Sequence, residues 1–163
     1  MTYPSARPAS ESRSSLAIWT DPKQANVFGS LHGGVILHLA DECGALAVIR
    51  HVGSGKVATA AIDSLIFLAP VVIGERLDLQ AEVTWVGRTS AEARIEVFAE
   101  PLARAGRRKV AEGYALYVSF DEGGTPQVVP PLVSETEADR RRDEAAETRQ
   151  VARLARRAEA KRG

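Results

Sequence analysis

One segment of the chain, residues 35–49, is so apolar that a helix formed there must be covered over much of its surface. Its polar members are His38, Asp41 and Glu42, and glycines at 53 and 55 supply a stop. An ionised carboxylate among buried apolar groups is costly unless it is paired or used. Asp41 is therefore either the polar edge of a core helix or a functional group.

The segments after this helix have the composition of β-strands rather than of a second helix. Apolar and polar residues alternate in 77–85 and 93–98, which is typical of a sheet with one packed face. The segments that we interpret as strands are 15–19, 57–68, 75–86, 91–100 and 107–120. Short turns between them indicate antiparallel neighbours. Because sheet and helix must cover each other, we predict an α+β fold with an antiparallel sheet wrapped around a long central helix.

Composition divides the 163-residue chain into three parts. Residues 1–13 are rich in Ser, Pro and Ala without periodicity, which predicts a flexible N-terminal arm. Residues 14–133 have the size of one domain with a real core. Residues 134–163 are rich in Ala, Arg and Glu, and the spacing of Ser134 and Glu137 predicts a capping box. We expect an exposed, charged C-terminal helix there.

Charge and cysteine content exclude several classes of protein. Lys and Arg number 21 and Asp and Glu also 21, so nothing in the bulk charge attracts nucleic acid. The single cysteine, Cys43, cannot form an intramolecular disulfide. No apolar run reaches the roughly 18–20 residues of a membrane span, and the N-terminus lacks the apolar core of a signal peptide. We therefore expect a cytoplasmic protein without a membrane span or a nucleic-acid partner.

Residues 26–34 combine small side chains with the start of the apolar helix. Backbone N–H groups of Gly33 and Gly34 at that helix end would lack partners and would carry the positive end of the helix dipole. Such donors can hold a carbonyl oxygen that becomes an oxyanion, although the glycines also suit simple close packing. The chain has neither a His-Glu-x-x-His motif nor a cysteine pair, so we expect no metal site.

Four motifs, in order along the chain, resemble those of the hotdog-fold acyl-CoA thioesterases, in the branch of brain-type and bacterial acyl-CoA hydrolases. They occupy 26–44, 63–75, 83–90 and 129–137, within a likeness that runs from about residue 15 to 145. The resemblance implies a hotdog fold and an enzyme that hydrolyses acyl-CoA to free acid and CoA. It implies no cofactor, since CoA is part of the substrate, and a homodimer often assembled as a trimer of dimers.

The resemblance also assigns roles to particular residues. Asp41 corresponds to the family's aspartate, which acts as general base for water or as nucleophile at the thioester carbon, together with Asn26 of the partner subunit. Gly33 and Gly34 correspond to the donors that face the thioester oxygen. The substrate-binding residues implied are His32 and a turn near the CoA arm that contains Arg88, Thr89 and Ser90.

Two residues depart from the family pattern, and other functions stay open. Ala40 replaces the usual Met, and Ser64 stands where a longer polar residue is common, which bears on acyl-chain preference. The main alternative is a non-catalytic acyl-CoA-binding or sensor module on the same fold. Further alternatives are a hotdog dehydratase, which needs an Asp and His pair, and an interaction protein that uses the basic run 149–162.

Overall fold

The computed structural model describes residues 4–53 and 56–162, which form two α-helices and seven strands. The helices are α1 (Gly33–Val52) and α2 (Glu137–Ala160). The strands are β1 (Arg7–Pro8), β2 (Ser14–Trp19), β3 (Lys56–Phe67), β4 (Arg76–Val86), β5 (Ser90–Glu100), β6 (Arg108–Phe120) and β7 (Leu132–Val133). None of the described helices is long and apolar enough to cross a membrane.

Five of the strands form one antiparallel sheet, in the order β2-β4-β5-β6-β3. Side chains alternate between its two faces. The inner face packs on α1 and is apolar, as shown by Leu77, Leu79, Ile95 and Val97, all essentially inaccessible to solvent. The outer face carries Glu92, whose ion pairs place α2 there. The predicted α+β fold, with the sheet around a central helix and a further C-terminal helix, is confirmed.

Helix α1 begins and ends at residues suited to those positions. His32 precedes it in extended conformation, and its Nδ1 accepts a 2.9 Å hydrogen bond from the Gly34 N–H. Gly53 ends the helix with φ of 79°, a left-handed conformation that glycine adopts without a steric cost. Ile36, Ala40 and Ala47 on its buried side pack into the core.

The prediction of a flexible N-terminal arm is wrong for residues 7–13. Strand β1 pairs in parallel with β7, and the Arg7 N–H donates to the Pro131 carbonyl at 2.9 Å. Ser12 is fully buried, and its hydroxyl oxygen accepts a 2.8 Å hydrogen bond from the Val83 N–H. That bond satisfies a backbone donor of β4 just beyond the end of its pairing with β2. Residues 1–3 lie outside the described residues.

The C-terminal helix is present and most of its residues are exposed, as predicted, but its predicted cap is wrong. The cap is Thr136, whose hydroxyl accepts from the Asp139 N–H at 3.1 Å while Asp139 accepts from the Thr136 N–H at 2.9 Å. This reciprocal capping box lies two residues beyond the predicted one. The helix contacts the sheet through a few buried residues, among them Arg153, which is 7% exposed and binds carboxylates of the sheet.

Candidate active site

Asp41 lies midway along α1, on the side of the helix turned toward β3. Its Oδ1 accepts a 2.7 Å hydrogen bond from the hydroxyl of Thr59, and its main-chain carbonyl accepts one of 2.9 Å from Tyr117. Thr59 and Tyr117 stand directly opposite each other on β3 and β6. The carboxylate is partly exposed. It is therefore anchored on one oxygen and open to solvent on its other side.

Thr59 is the site residue that sequence reasoning missed. It belongs to no motif, and its contact with Asp41 spans 18 positions of the chain. The available signal was alternation along β3, which could have placed Thr59 on the face turned to the helix. That signal is weak because the pairing of β3 with β6 shifts between Thr59 and Ala61 and again between Ile62 and Ser64.

The start of α1 offers one free backbone donor rather than the two expected. The Gly34 N–H donates to Nδ1 of His32, so Gly34 is not the unpaired donor that we predicted. The Gly33 N–H has no hydrogen-bond partner in the described part of the chain. Because Nδ1 of His32 accepts a hydrogen bond, the neutral ring carries its proton on Nε2. His32 therefore caps the helix and keeps an exposed N–H donor.

Asn26 is held through its side-chain oxygen, which leaves its amide nitrogen available as a hydrogen-bond donor. Its Oδ1 accepts from the N–H groups of Phe28 at 2.9 Å and Ser30 at 3.2 Å. Two backbone donors identify that atom as the oxygen and leave the Nδ2 group as a donor. Gly29, with φ of 77°, allows the tight turn that closes this arrangement.

Asn26 and Gly33 line one groove at the start of α1, with a volume of about 520 Å³. The rest of its lining is mostly apolar and includes Phe28, Ile36, Phe67, Leu68 and Val71. Gly33 packs closely against this lining, because a Cβ there would come within 3.2 Å of the Phe67 ring. The groove thus joins two polar hydrogen-bond donors to an apolar channel.

The turn 88–90 lies at the other end of the sheet. Ser90 is opposite Val118 on β6, and Val118 is opposite Ala58 on β3, so the turn stands near Thr59. Its backbone is fixed, since the carbonyls of Thr89 and Arg88 accept from Ser119 and Val129 at 2.9 and 3.0 Å. The Arg88 side chain is exposed. The predicted residues therefore form two groups. Asn26, His32 and Gly33 form one, and Asp41 with the turn 88–90 forms the other.

These two groups cannot act on one bond within a single chain. Gly33 and Asp41 are eight residues apart in α1, which corresponds to about 12 Å along the helix axis. During the reaction the Gly33 N–H must lie within roughly 3 Å of the thioester oxygen, while Asp41 lies within roughly 3 Å of the water that attacks the adjacent carbon. Within one chain the arrangement supplies two half-sites.

The surface between the half-sites is apolar and uncovered. On α1, Leu37 is 40% exposed, and on the face of β3 turned to the helix Ile62 is 41% exposed. Strand β3 pairs with β6 on one side, and among the described residues nothing pairs with its other edge. A long apolar edge strand is a template for pairing with another chain. The apolar helix that we expected to be covered is thus covered on one side only.

Within the described residues, the potential metal ligands do not cluster and the cysteine thiol is buried. No group of three or more His, Cys, Asp or Glu side chains stands close enough to hold a metal ion in 4–53 and 56–162. Cys43 is fully buried, and burial raises the pKa of its thiol to about 11. A thiol with so high a pKa is a poor nucleophile near neutral pH.

Comparison with known proteins assigns the family. A sequence model described as the thioesterase superfamily matches residues 28–105. The chain is 32% identical to an uncharacterized acyl-CoA thioester hydrolase of Bacillus subtilis, over 85% of this chain and 80% of that protein. The chain belongs to the thioesterase superfamily. It is also 30% identical to the mouse cytosolic acyl coenzyme A thioester hydrolase over 86% of this chain, and it spans 37% of that longer protein.

Solved thioesterase structures share the whole fold. An apo-hexameric acyl-CoA thioesterase superposes with a TM-score of 0.89 and 33% identity, over 94% of this chain and 98% of the other. An acyl-CoA hydrolase of Staphylococcus aureus, solved with butyryl coenzyme A, coenzyme A and coenzyme A disulfide, gives 0.88 and 28% over 96% and 95%. Variants of that enzyme with an aspartate, a threonine or an asparagine changed to alanine have also been solved. The predicted hotdog fold and thioesterase family are confirmed.

Proposed function

We propose that this protein hydrolyses acyl-CoA thioesters to free acid and CoA at a site shared by two copies of the chain. Asp41 and Thr59 come from one copy, and Asn26 and Gly33 from the other. The observation that carries the proposal is the division of the polar groups into two half-sites, separated by an uncovered apolar helix face and strand edge. The family assignment supplies the reaction class.

Pairing of two β3 edges would bring the half-sites together. A two-fold axis near the middle of β3 sets the first half of one strand, which carries Thr59, against the second half of the other. The second half ends at Phe67, beside Gly33 and the groove. The groove of one copy thus lies next to Asp41 of its partner. The turn 88–90 stands at the same end as Thr59, in position to meet the CoA arm.

The reaction follows from the groups in this shared site. The thioester oxygen accepts hydrogen bonds from the Gly33 N–H and Nδ2 of Asn26, which stabilise the negative charge that develops there. Asp41 takes a proton from water as the water oxygen bonds to the thioester carbon. The C–S bond then breaks, and the proton on Asp41 passes to the leaving thiolate. In the second route the Asp41 carboxylate attacks the same carbon and the C–S bond breaks to release CoA as the thiolate, which leaves an acyl anhydride on Asp41. Water then hydrolyses this anhydride to the free acid and restores the carboxylate.

The remaining assignments follow from this arrangement. The acyl chain occupies the apolar groove beside Phe28, Ile36 and Phe67, and His32 offers its Nε2–H to the substrate. Because a thiolate leaves readily, the reaction needs neither a metal nor a further cofactor. The hexameric state of the similar thioesterase supports a trimer of dimers here. The cytosolic mouse relative supports a cytoplasmic location.

The test is thiol release from acyl-CoAs of graded chain length, with wild-type protein and Asp41→Asn. The wild type should release thiol with and without a chelator. Asp41→Asn should lose on the order of a hundredfold or more in turnover, as expected for loss of a general base, and should still bind a non-hydrolysable acyl-CoA. A wild type that binds the analogue but releases no thiol would instead identify a non-catalytic acyl-CoA-binding module.

A further inference from the structure

Tyr117 contacts the main chain of Asp41 from beneath the helix. It is fully buried, and its hydroxyl donates a 2.9 Å hydrogen bond to the Asp41 carbonyl. In an α-helix that carbonyl already accepts the N–H four residues later. The phenol is therefore a second donor to it, one that ties this turn of α1 to β6.

Gly44 makes this contact possible. It lies on the buried side of α1, about one turn beyond Asp41, and the Tyr117 hydroxyl occupies the space that a Cβ of this residue would need. A Cβ at this position would overlap the hydroxyl oxygen and force it away. Glycine destabilises the interior of a helix, but at this position its lack of a Cβ leaves room for the Tyr117 hydroxyl.

Thr59 and Tyr117 act on Asp41 together. They are a directly opposed pair on β3 and β6, so their side chains leave the sheet on the same face. Thr59 binds the carboxylate of Asp41 and Tyr117 binds its carbonyl. One residue is thus held at both its side chain and its main chain by adjacent strands.

We infer that Tyr117 is a positioning residue for the thioesterase reaction, which sets the place of the Asp41 carboxylate through the main chain of α1. The inference rests on the proposed function of Asp41. Burial, and after it the negative charge of Asp41, raise the pKa of Tyr117 far above its usual value. The hydroxyl therefore stays protonated and remains a donor throughout the working pH range.

The expected consequence is a loss in turnover rather than in binding. Misplacing a catalytic group by about 1 Å can reduce a rate by a hundredfold. Tyr117→Phe keeps the ring and its packing, so a smaller shift and about a tenfold fall in kcat are expected. KM and the affinity for a non-hydrolysable acyl-CoA should not change, because Tyr117 is buried beneath the helix and touches no substrate.

Tyr114→Phe is the matched control. Tyr114 lies on the same strand, and its ring packs against the Arg149 guanidinium at 3.7 Å on the outer face. Removing its hydroxyl leaves that contact in place and does not alter the Asp41 side of the sheet. This variant should keep wild-type kcat. Melting temperatures of both variants show whether the fold is retained.

Gly44→Ala supplies a second, independent perturbation, because it displaces the Tyr117 hydroxyl without removing it. It should lower kcat as well. Adding Tyr117→Phe to Gly44→Ala should lower kcat little further, because both changes remove the same hydrogen bond. The double variant should also melt at a higher temperature than Gly44→Ala, because the hydroxyl that overlaps the new Cβ is gone. Wild-type kcat in a folded Tyr117→Phe protein, or an equal loss in Tyr114→Phe, would overturn the inference alone. A wild type without thioesterase activity would overturn the proposed function and the inference with it.

Discussion

The hydroxyl of Thr59 stands 2.7 Å from Oδ1 of Asp41, a contact made by the register of β3 beside α1 rather than by any sequence motif. The hydrogen bond fixes one carboxylate oxygen and leaves the other for water. It also disfavours rotation of the carboxylate away from the interface at which the substrate is expected. Thr59 therefore belongs to the reaction machinery in our account.

We predict that Thr59→Val lowers kcat by roughly tenfold or more, because the carboxylate loses the donor that orients it. Valine keeps the shape of threonine, so the fold should be retained. Thr59→Ser restores a hydroxyl at the same position and should recover most of the activity. Steady-state thiol release from the three proteins measures this, and equal kcat values for all of them would remove Thr59 from the site.

A second prediction concerns the attachment of α2 to the sheet. Glu92 is fully buried, accepts hydrogen bonds from Thr84 and Arg149 at 2.7 Å and also binds Arg153. Removing one partner of a buried ion pair typically costs about 3–5 kcal/mol. Glu92→Gln should therefore lower the melting temperature by several degrees. Glu96→Gln, on the same strand and face with surface ion pairs to Arg94 and Lys109, should change it little.

The same cluster predicts an acid sensitivity. Burial alone would raise the pKa of Glu92, but hydrogen bonds from Arg149, Thr84 and Arg153 outweigh it, and the pKa lies below its usual value of 4.5. Stability from this group is thus complete above about pH 4.5 and is lost as the pH falls through the lowered folded-state pKa. On acidification the wild type should lose more stability than Glu92→Gln. Parallel thermal melts between pH 6 and pH 3 test this, and an equal loss of stability in both proteins would show that the cluster has no such role.

A third prediction follows from His51 near the end of α1. Its side chain is fully buried, Nε2 lies 2.9 Å from the Pro130 carbonyl, and Nδ1 has no partner in the described part of the chain. Burial lowers the pKa of His51 below its usual 6.5, against the opposing effect of that carbonyl. Below pH 6.5 the unfolded chain therefore binds a proton that the folded protein excludes, and stability falls as the pH decreases.

His51→Gln, which can still donate to Pro130, should make the melting temperature less dependent on pH between 7.5 and 5.5. His38→Gln is the control, because it replaces an exposed histidine on the same helix and leaves the buried imidazole of His51 in place. Melting temperatures of the three proteins at pH 7.5 and pH 5.5 test this prediction. Identical pH dependence in wild type and His51→Gln would show that the buried imidazole contributes nothing to it.

The main elements of the fold were readable from local patterns. The apolar run 35–49 became α1, and alternation in 77–85 and 93–98 became β4 and β5. These assignments hold because helix and strand periodicities depend on neighbours in the chain. The sheet order was not readable in this way, because β3 lies beside β6 and not beside β4, the strand that follows it in the chain.

Contacts between distant residues were not readable in that way. Arg149 and Arg153 look like part of a solvated basic run, because their partners Glu92 and Asp63 lie far away on the sheet. A signal existed in Glu92, an acidic residue between the small residues Ala91 and Ala93 within a buried strand. Similarly, Ser12 in a polar segment gave no sign that it would satisfy the Val83 N–H.

In the proposed enzyme, Asp41 and Asn26 of different subunits form one site, and mixed dimers test this arrangement most directly. Asn26→Ala and Asp41→Asn chains carrying different tags are co-expressed, and assemblies that contain heterodimers are purified through both tags. By two-fold symmetry one site of each heterodimer contains both substitutions and the other contains neither, so the assemblies should show turnover well above that of either variant, up to about half of the wild-type value. Each variant alone should be nearly inactive. A purified heterodimer as inactive as its parents would place the site within a single chain and contradict the account.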